Sequence, residues 1–204
     1  MTARVPPRLV LATGNAGKLR ELTALLAPWG VEVLPQSAFT AVAVEETGLT
    51  FVENAILKAR HAAEASGLPA IADDSGLEVD ALDGAPGVRS ARYAGEDAGD
   101  AANNARLLEA LAGVADPGRA ARYRCAMVYL RHPHDPAPLV RQSAWEGRIV
   151  REPRGTGGFG YDPLFLVAGD VRTAAEYPAE EKNHASHRGR ALRALVQALA
   201  DGST

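Results

Sequence analysis

Two adjacent carboxylates behind an apolar run constrain this chain more than any other feature. Pro69-Ala70-Ile71-Ala72 reads as a buried strand, and Asp73-Asp74-Ser75-Gly76 follows at its mouth, ahead of a second apolar segment from Leu77 to Leu82. Burying two charges is costly unless cations meet them. A fold of this chain must therefore deliver cations to Asp73 and Asp74 or leave both in a surface turn. For this stretch alone the turn is the cheaper reading, since Asp, Ser and Gly all form turns. The rest of the chain supplies the alternative. It holds a glycine-rich junction ending in Lys18, the pair Glu45-Glu46, a Gly-Gly-Phe-Gly-Tyr-Asp loop and Lys182 ahead of His187-Arg188. Those are the parts of a metal-assisted phosphate site.

The junction comes first in the chain. Arg8 to Thr13 reads as a buried strand, short and bounded by Pro and Gly. Gly14-Asn15-Ala16-Gly17 is a turn, and Lys18 to Leu26 a helix with Leu19, Leu22, Leu25 and Leu26 on one face. A helix start offers free N–H groups and a favourable dipole to an anion. A lysine in that first turn costs roughly 0.3–1 kcal/mol of helix stability, so an anion nearby is the simplest reason for Lys18. The spacing is not that of a P-loop: Gly14 and Gly17 stand too close, and Leu19 replaces the Ser/Thr that holds magnesium.

Val31 to Leu34 reads as a second strand, and Ser37 to Gly48 as a loop carrying Glu45-Glu46. Thr50 and Glu53 form a capping box, which makes Glu53 structural. The helix they open runs to about Ala65, with Asn54, Lys58 and His61 together on a face that reads as solvated. Ala101 to Ala112 reads as a helix, Ala121 to Leu130 and Val140 to Val150 as strands, and His132 to Pro136 as the loop between them. Metal binding by His132 and His134 is the weaker reading there. Arg154 to Pro163 is too glycine-rich for an ordinary hairpin. Glycines admit close backbone approach to a ligand, and Phe159 among them can stack on a flat ring. Ser186 reads as an N-cap. His187 and Arg188 after it again set cationic groups at a helix start.

The totals narrow the classes. A chain of 204 residues suits one domain spanning 1–204, or two closely joined lobes. A net charge of −3 and the absence of a basic surplus argue against nucleic acid as a partner. The single cysteine, Cys125, cannot form an intramolecular disulfide and reads as a buried small hydrophobe. Met1 to Pro7 lacks the apolar core of a signal peptide, and no stretch reaches the length of a membrane span, so the expected location is cytoplasmic, away from membranes.

These motifs in this order resemble the inosine triphosphate pyrophosphatase family. The likeness runs through Thr13-Gly14-Asn15-Ala16-Gly17-Lys18, Glu45 to Gly48, Phe51 to Ala55, Ala72 to Leu77, Gly87 to Arg92, Gly158 to Asp162, and Glu181-Lys182 with Ser186-His187-Arg188. It implies an α/β protein with an elongated mixed β-sheet and flanking helices, two lobes around a central cleft, and a homodimer. It further implies Mg²⁺-dependent hydrolysis of dITP, ITP and XTP to the monophosphate and pyrophosphate. Asp74 is then the general base, with Glu45 and Asp74 as metal ligands and Glu46 as the alternate. The substrate contacts are Thr13 to Lys18, Lys58, Ser75, Phe159, Gly160, Tyr161, Asp162, Lys182, His187 and Arg188. Donors at Lys182, His187 and Arg188 suit a 6-oxo purine and leave adenine mismatched. The rival readings are a phosphomonoesterase or kinase-like enzyme and a non-catalytic nucleotide-binding regulatory module.

Overall fold

A computed structural model describes residues 5–202, so the N-terminal reading above falls partly outside the described residues. Six strands form one mixed sheet: β1 (Arg8–Ala12), β2 (Glu32–Pro35), β3 (Ala70–Val79), β4 (Ala120–Leu130), β5 (Leu139–Ile149) and β6 (Phe165–Val167). Their order is β2-β1-β3-β4-β5-β6. β1 runs parallel to β2 and β3, while β5 and β6 are antiparallel. Five α-helices accompany them: α1 (Ala16–Leu26), α2 (Phe51–Ser66), α3 (Asp100–Ala110), α4 (Ala179–Ala185) and α5 (His187–Ala200). This is the mixed α/β sheet with flanking helices that the sequence led us to expect. Among the described residues no helix is long and apolar enough to cross a membrane.

The chain divides into two compact units. The first comprises the chain up to Asp74, Cys125–Ser143 and the chain from Arg188 onward; the second comprises Ser75–Arg124 and Ala144–His187. In the first unit, β1 is buried on both faces, which is why it reads as a continuous apolar run rather than an alternating one. Leu9 and Leu11 pack with Leu22 and Leu26 of α1 and with Leu192 and Leu195 of α5. Val10 and Ala12 face the other way, onto Ala55, Ala59, Ala62 and Ala63 of α2. The second unit has its own core around Leu77, Leu107, Tyr123, Trp145, Leu164 and Phe165.

The expected elements form with small shifts at their ends. The Thr50–Glu53 capping box is made, and Gly67 closes α2 with φ of 68°, a conformation glycine adopts without strain. Two findings differ from the sequence reading. The Asp73-Asp74-Ser75-Gly76 stretch is not a turn; β3 runs unbroken through it from Ala70 to Val79. Its turn-forming side chains are overridden by pairing within a sheet. A separate short helix, α4, also precedes α5 and carries Lys182.

Candidate active site

The candidate residues fall into two groups, one in each unit. In the first, register does the placing. Ala12 ends β1 opposite Ala72 of β3, so the chain leaves β1 and enters α1 beside Asp73 and Asp74. Asn15 caps α1 by accepting from the Lys18 backbone N–H at 3.0 Å, and Thr13 Oγ1 accepts from the Asn15 N–H at 3.1 Å. Gly14, Asn15 and Ala16 are exposed. Helix geometry leaves the first N–H groups of α1 without intrahelical partners.

The two carboxylates occupy different surroundings. Asp73 is fully buried and held by cations: Lys18 Nζ lies 2.8 Å from Oδ1, and Arg188 Nε 3.2 Å from Oδ2. Arg188 Nη1 also reaches Glu21 of α1 at 2.5 Å. Burial pushes the Asp73 carboxyl up, but Lys18, Arg188 and Lys58 together outweigh it and hold the group well below the ordinary carboxylate range. The anion that explains Lys18 is thus supplied by the protein itself.

Asp74 is the opposite case. Its Oδ1 accepts from Lys58 Nζ at 2.5 Å, and the same Nζ lies 3.0 Å from Glu46 Oε1. Its Oδ2 is buried and accepts no hydrogen bond. Burial is the largest influence and keeps the Asp74 carboxyl above its ordinary value despite Lys58 and Lys18. Lys58 loses by burial but gains more from Asp74, Asp73 and Glu46, so its ammonium is held the more firmly.

Glu46, the alternate ligand in the sequence reading, is the acidic-loop residue that joins Asp74 through Lys58; Glu45 is exposed. Among the described residues no three His, Cys, Asp or Glu side chains gather to hold a metal ion. A hard cation here would take at most two protein carboxylates. That is how Mg²⁺ is usually held, the remaining positions going to water and phosphate oxygens. The vacant, buried Asp74 Oδ2 fits such a ligand.

The α2 face carrying Asn54, Lys58 and His61 is not the solvated face that its spacing suggested. Asn54, completely buried, accepts from the Gly48 N–H at 2.8 Å, Lys58 holds Glu46, and the His61 ring nitrogen meets the Val42 carbonyl at 2.8 Å. Three residues on successive turns fasten the acidic loop. Cys125 lies against Asp73 Oδ2 at 3.5 Å and is buried. Burial, and then the Asp73 charge, push its thiol well above the ordinary range. Native protein is therefore expected to show no reaction with a thiol reagent, and one thiol on unfolding. Rapid labelling of the native chain would contradict the buried placement.

The second group is built on the glycine loop and α4. Lys182 is buried, its Nζ 2.6 Å from Asp162 Oδ2 and 5.0 Å from the Phe159 ring centre. The Phe159 N–H donates to the same carboxylate oxygen at 2.9 Å. Gly158 has φ of 73°, and a Cβ there would land on the Asp162 carboxylate. Gly160 is tied through its N–H to Asp100 at 2.6 Å and through its carbonyl to Asn104 at 2.9 Å. Tyr161 turns into the core of the second unit and donates to the Ser90 carbonyl at 2.8 Å. Ser75 is half-buried in β3, and His187 is buried at the start of α5. His132 and His134 stay exposed in the β4–β5 turn.

The sequence reading missed Glu21 and Tyr123. Glu21 follows Lys18 by one helical turn, a spacing that puts both on one face. Tyr123 shares an inward row of β4 with Cys125 and Met127, a period of two that was legible.

Comparison with known proteins gives a consistent set. The Ham1 family model matches residues 9–198. The chain is 60% identical over 195 residues to a dITP/XTP pyrophosphatase of Shigella flexneri, covering 96% of this chain and 99% of that one. It is 58% identical, with the same coverage, to a dITP/XTP pyrophosphatase of Escherichia coli strain K12. Among solved structures, a HAM1 protein from Coxiella burnetii superposes with a TM-score of 0.87 at 51% identity, covering 95% of this chain and 98% of that one. A nucleoside-triphosphatase / dITP/XTP pyrophosphatase from Mycobacterium abscessus gives 0.74 at 44% identity, covering 93% and 98%.

Proposed function

This chain belongs to the Ham1 family, and on that premise we propose that it hydrolyses non-standard purine nucleoside triphosphates, dITP, ITP and XTP, to the monophosphate and pyrophosphate. The observation that carries the reading is the environment of Asp74. It is a buried carboxylate, fixed at one oxygen by Lys58, with a second oxygen that accepts no hydrogen bond and is free to receive one. A carboxylate held at one oxygen and open at the other is placed to take a proton from a water against it.

In the proposed reaction a water oxygen forms a bond to the α-phosphorus as the bond from that phosphorus to the bridging oxygen breaks. The water proton passes to Asp74, and pyrophosphate departs. Lys58 fixes the carboxylate and brings positive charge to it. The α1 start, with Asn15 and the N–H groups of Ala16 and Gly17, offers donors to phosphate oxygens. Asp74 and Glu46, or Glu45 from the same loop, would hold Mg²⁺, which when bound offsets the charge of a triphosphate. Lys182, His187 and the Phe159 ring would meet the base. A donor to the 6-oxo group suits hypoxanthine and xanthine, and facing adenine it goes unmet at roughly 1–3 kcal/mol.

A homodimer in the cytoplasm completes the proposal. The first is implied by the resemblance, and the second agrees with a lone, buried, unpaired cysteine. Incubation with ITP, XTP, ATP and GTP plus Mg²⁺ is expected to release pyrophosphate from ITP and XTP, with little from ATP. Orthophosphate as the product would favour a phosphomonoesterase or kinase-like enzyme. Binding of ITP without turnover would leave a regulatory module.

A further inference from the structure

We infer that Tyr123 is a positioning residue for base selection, acting through Asp162 and His187; this rests on the proposed reading of the second group as the base site. Tyr123 stands on β4, the long strand that enters the second unit's core, and is buried. Its hydroxyl donates to Asp162 Oδ1 at 3.1 Å. Its ring lies nearly parallel to that of His187, the planes 9° apart and the centres 4.7 Å apart. Phe165 backs the same ring at 4.6 Å, tilted by 50°.

One rigid side chain therefore joins two base-side groups that arrive on different elements. Asp162 belongs to the glycine loop, and His187 opens α5. The Asp162 carboxylate takes Lys182 Nζ and the Phe159 N–H on Oδ2, so the Tyr123 hydroxyl is what holds Oδ1. Rotation of that carboxylate would carry the lysine ammonium and the Phe159 backbone with it. The stacked ring fixes the plane of the imidazole, and hence the directions in which its nitrogens can donate or accept. A tyrosine loses little conformational freedom in this role, having only two side-chain torsions. The effect falls on recognition of the base, not on the bond that breaks.

Two variants of the full chain separate the contributions. Tyr123→Phe removes only the hydroxyl, and Tyr123→Leu removes the stacked ring as well. Pyrophosphate release from ITP, XTP and ATP gives kcat and KM, and titration calorimetry gives the affinity for IMP. Tyr123→Phe is expected to raise KM for ITP and weaken IMP binding by about three- to tenfold with kcat changed less than about twofold. Tyr123→Leu is expected to lower the ITP-over-ATP ratio of kcat/KM by about a further factor of ten. A merely structural role would lower the active fraction equally for every substrate, and that ratio is blind to it. An unchanged ratio and unchanged IMP affinity in both variants, with active wild-type enzyme, would overturn this inference alone. Failure of the wild-type chain to release pyrophosphate from ITP would overturn the proposed function, and this inference with it.

Discussion

Asp74→Asn is expected to lower kcat by about a hundred- to ten-thousand-fold, the usual range for a lost general base, while the melting temperature stays within about 3 °C. The two halves of that expectation have one cause. Burial already disfavours the Asp74 charge, so removing it relieves the fold of a desolvated carboxylate. The amide oxygen can still accept from Lys58, which keeps Glu46 as its counter-charge. What vanishes is basicity and the negative oxygen that accepts no hydrogen bond. Steady-state kinetics and a melting curve on one preparation check both halves. A variant retaining more than about a tenth of wild-type kcat would remove Asp74 from the role of base.

Asp73→Asn is expected to behave in the reverse manner one residue earlier. Its carboxylate is the shared counter-charge of Lys18 and Arg188, and Arg188 is itself buried. Breaking a buried ion pair from one side typically costs about 3–5 kcal/mol, which for a chain of this size is a fall of roughly 6–20 °C in Tm. The pH dependence follows from the direction of the shift. Asp73 titrates lower folded than unfolded, so its stabilisation is present above the unfolded value of about 3.9. It is lost as pH falls through the folded value. The variant lacks that contribution, so below about pH 4 its stability should fall less steeply than the wild type's. Chemical denaturation at several pH values measures this. Equal melting temperatures for the two proteins would show that the buried cations do not depend on Asp73.

The contrast between these neighbours marks how far the sequence could be read. It announced that Asp73 and Asp74 need cations, but it set Lys18 and Lys58 against phosphate and Arg188 against the base; the fold turns all three onto the two carboxylates. Residues alternate across a strand, so adjacent carboxylates point to opposite faces, and only the packed sheet shows which face holds Lys18 and Arg188. Arg188 illustrates the limit. The resemblance sets it in a base site; in the fold its guanidinium meets Asp73 and Glu21, two acids far from it in the chain. Capping chemistry was legible because it is local: Thr50 and Glu53 specify their own geometry. The acidic loop was not, because its anchors on α2 resemble any polar helical stripe until the loop is laid against them. Tyr161 entered as a substrate contact through the family resemblance; its ring packs in the core of the second unit, with its hydroxyl on the Ser90 carbonyl.

The alanine face of α2 leaves its surroundings almost no latitude. Ala55, Ala59, Ala62 and Ala63 are all essentially inaccessible and seat the helix on Val10 and Ala12. Helix and sheet meet there through methyl groups, so their separation is set by backbone and Cβ atoms rather than by rotamers that can rearrange. Lys58 leaves the helix next to Ala59, and its distance to Asp74 inherits that spacing. Any larger residue on the face acts as a spacer that lifts the lysine away from its carboxylate. The only smaller one, glycine, costs the helix about 1 kcal/mol at each position. The reach of the ammonium is thereby written into four methyl groups of the helix that carries it.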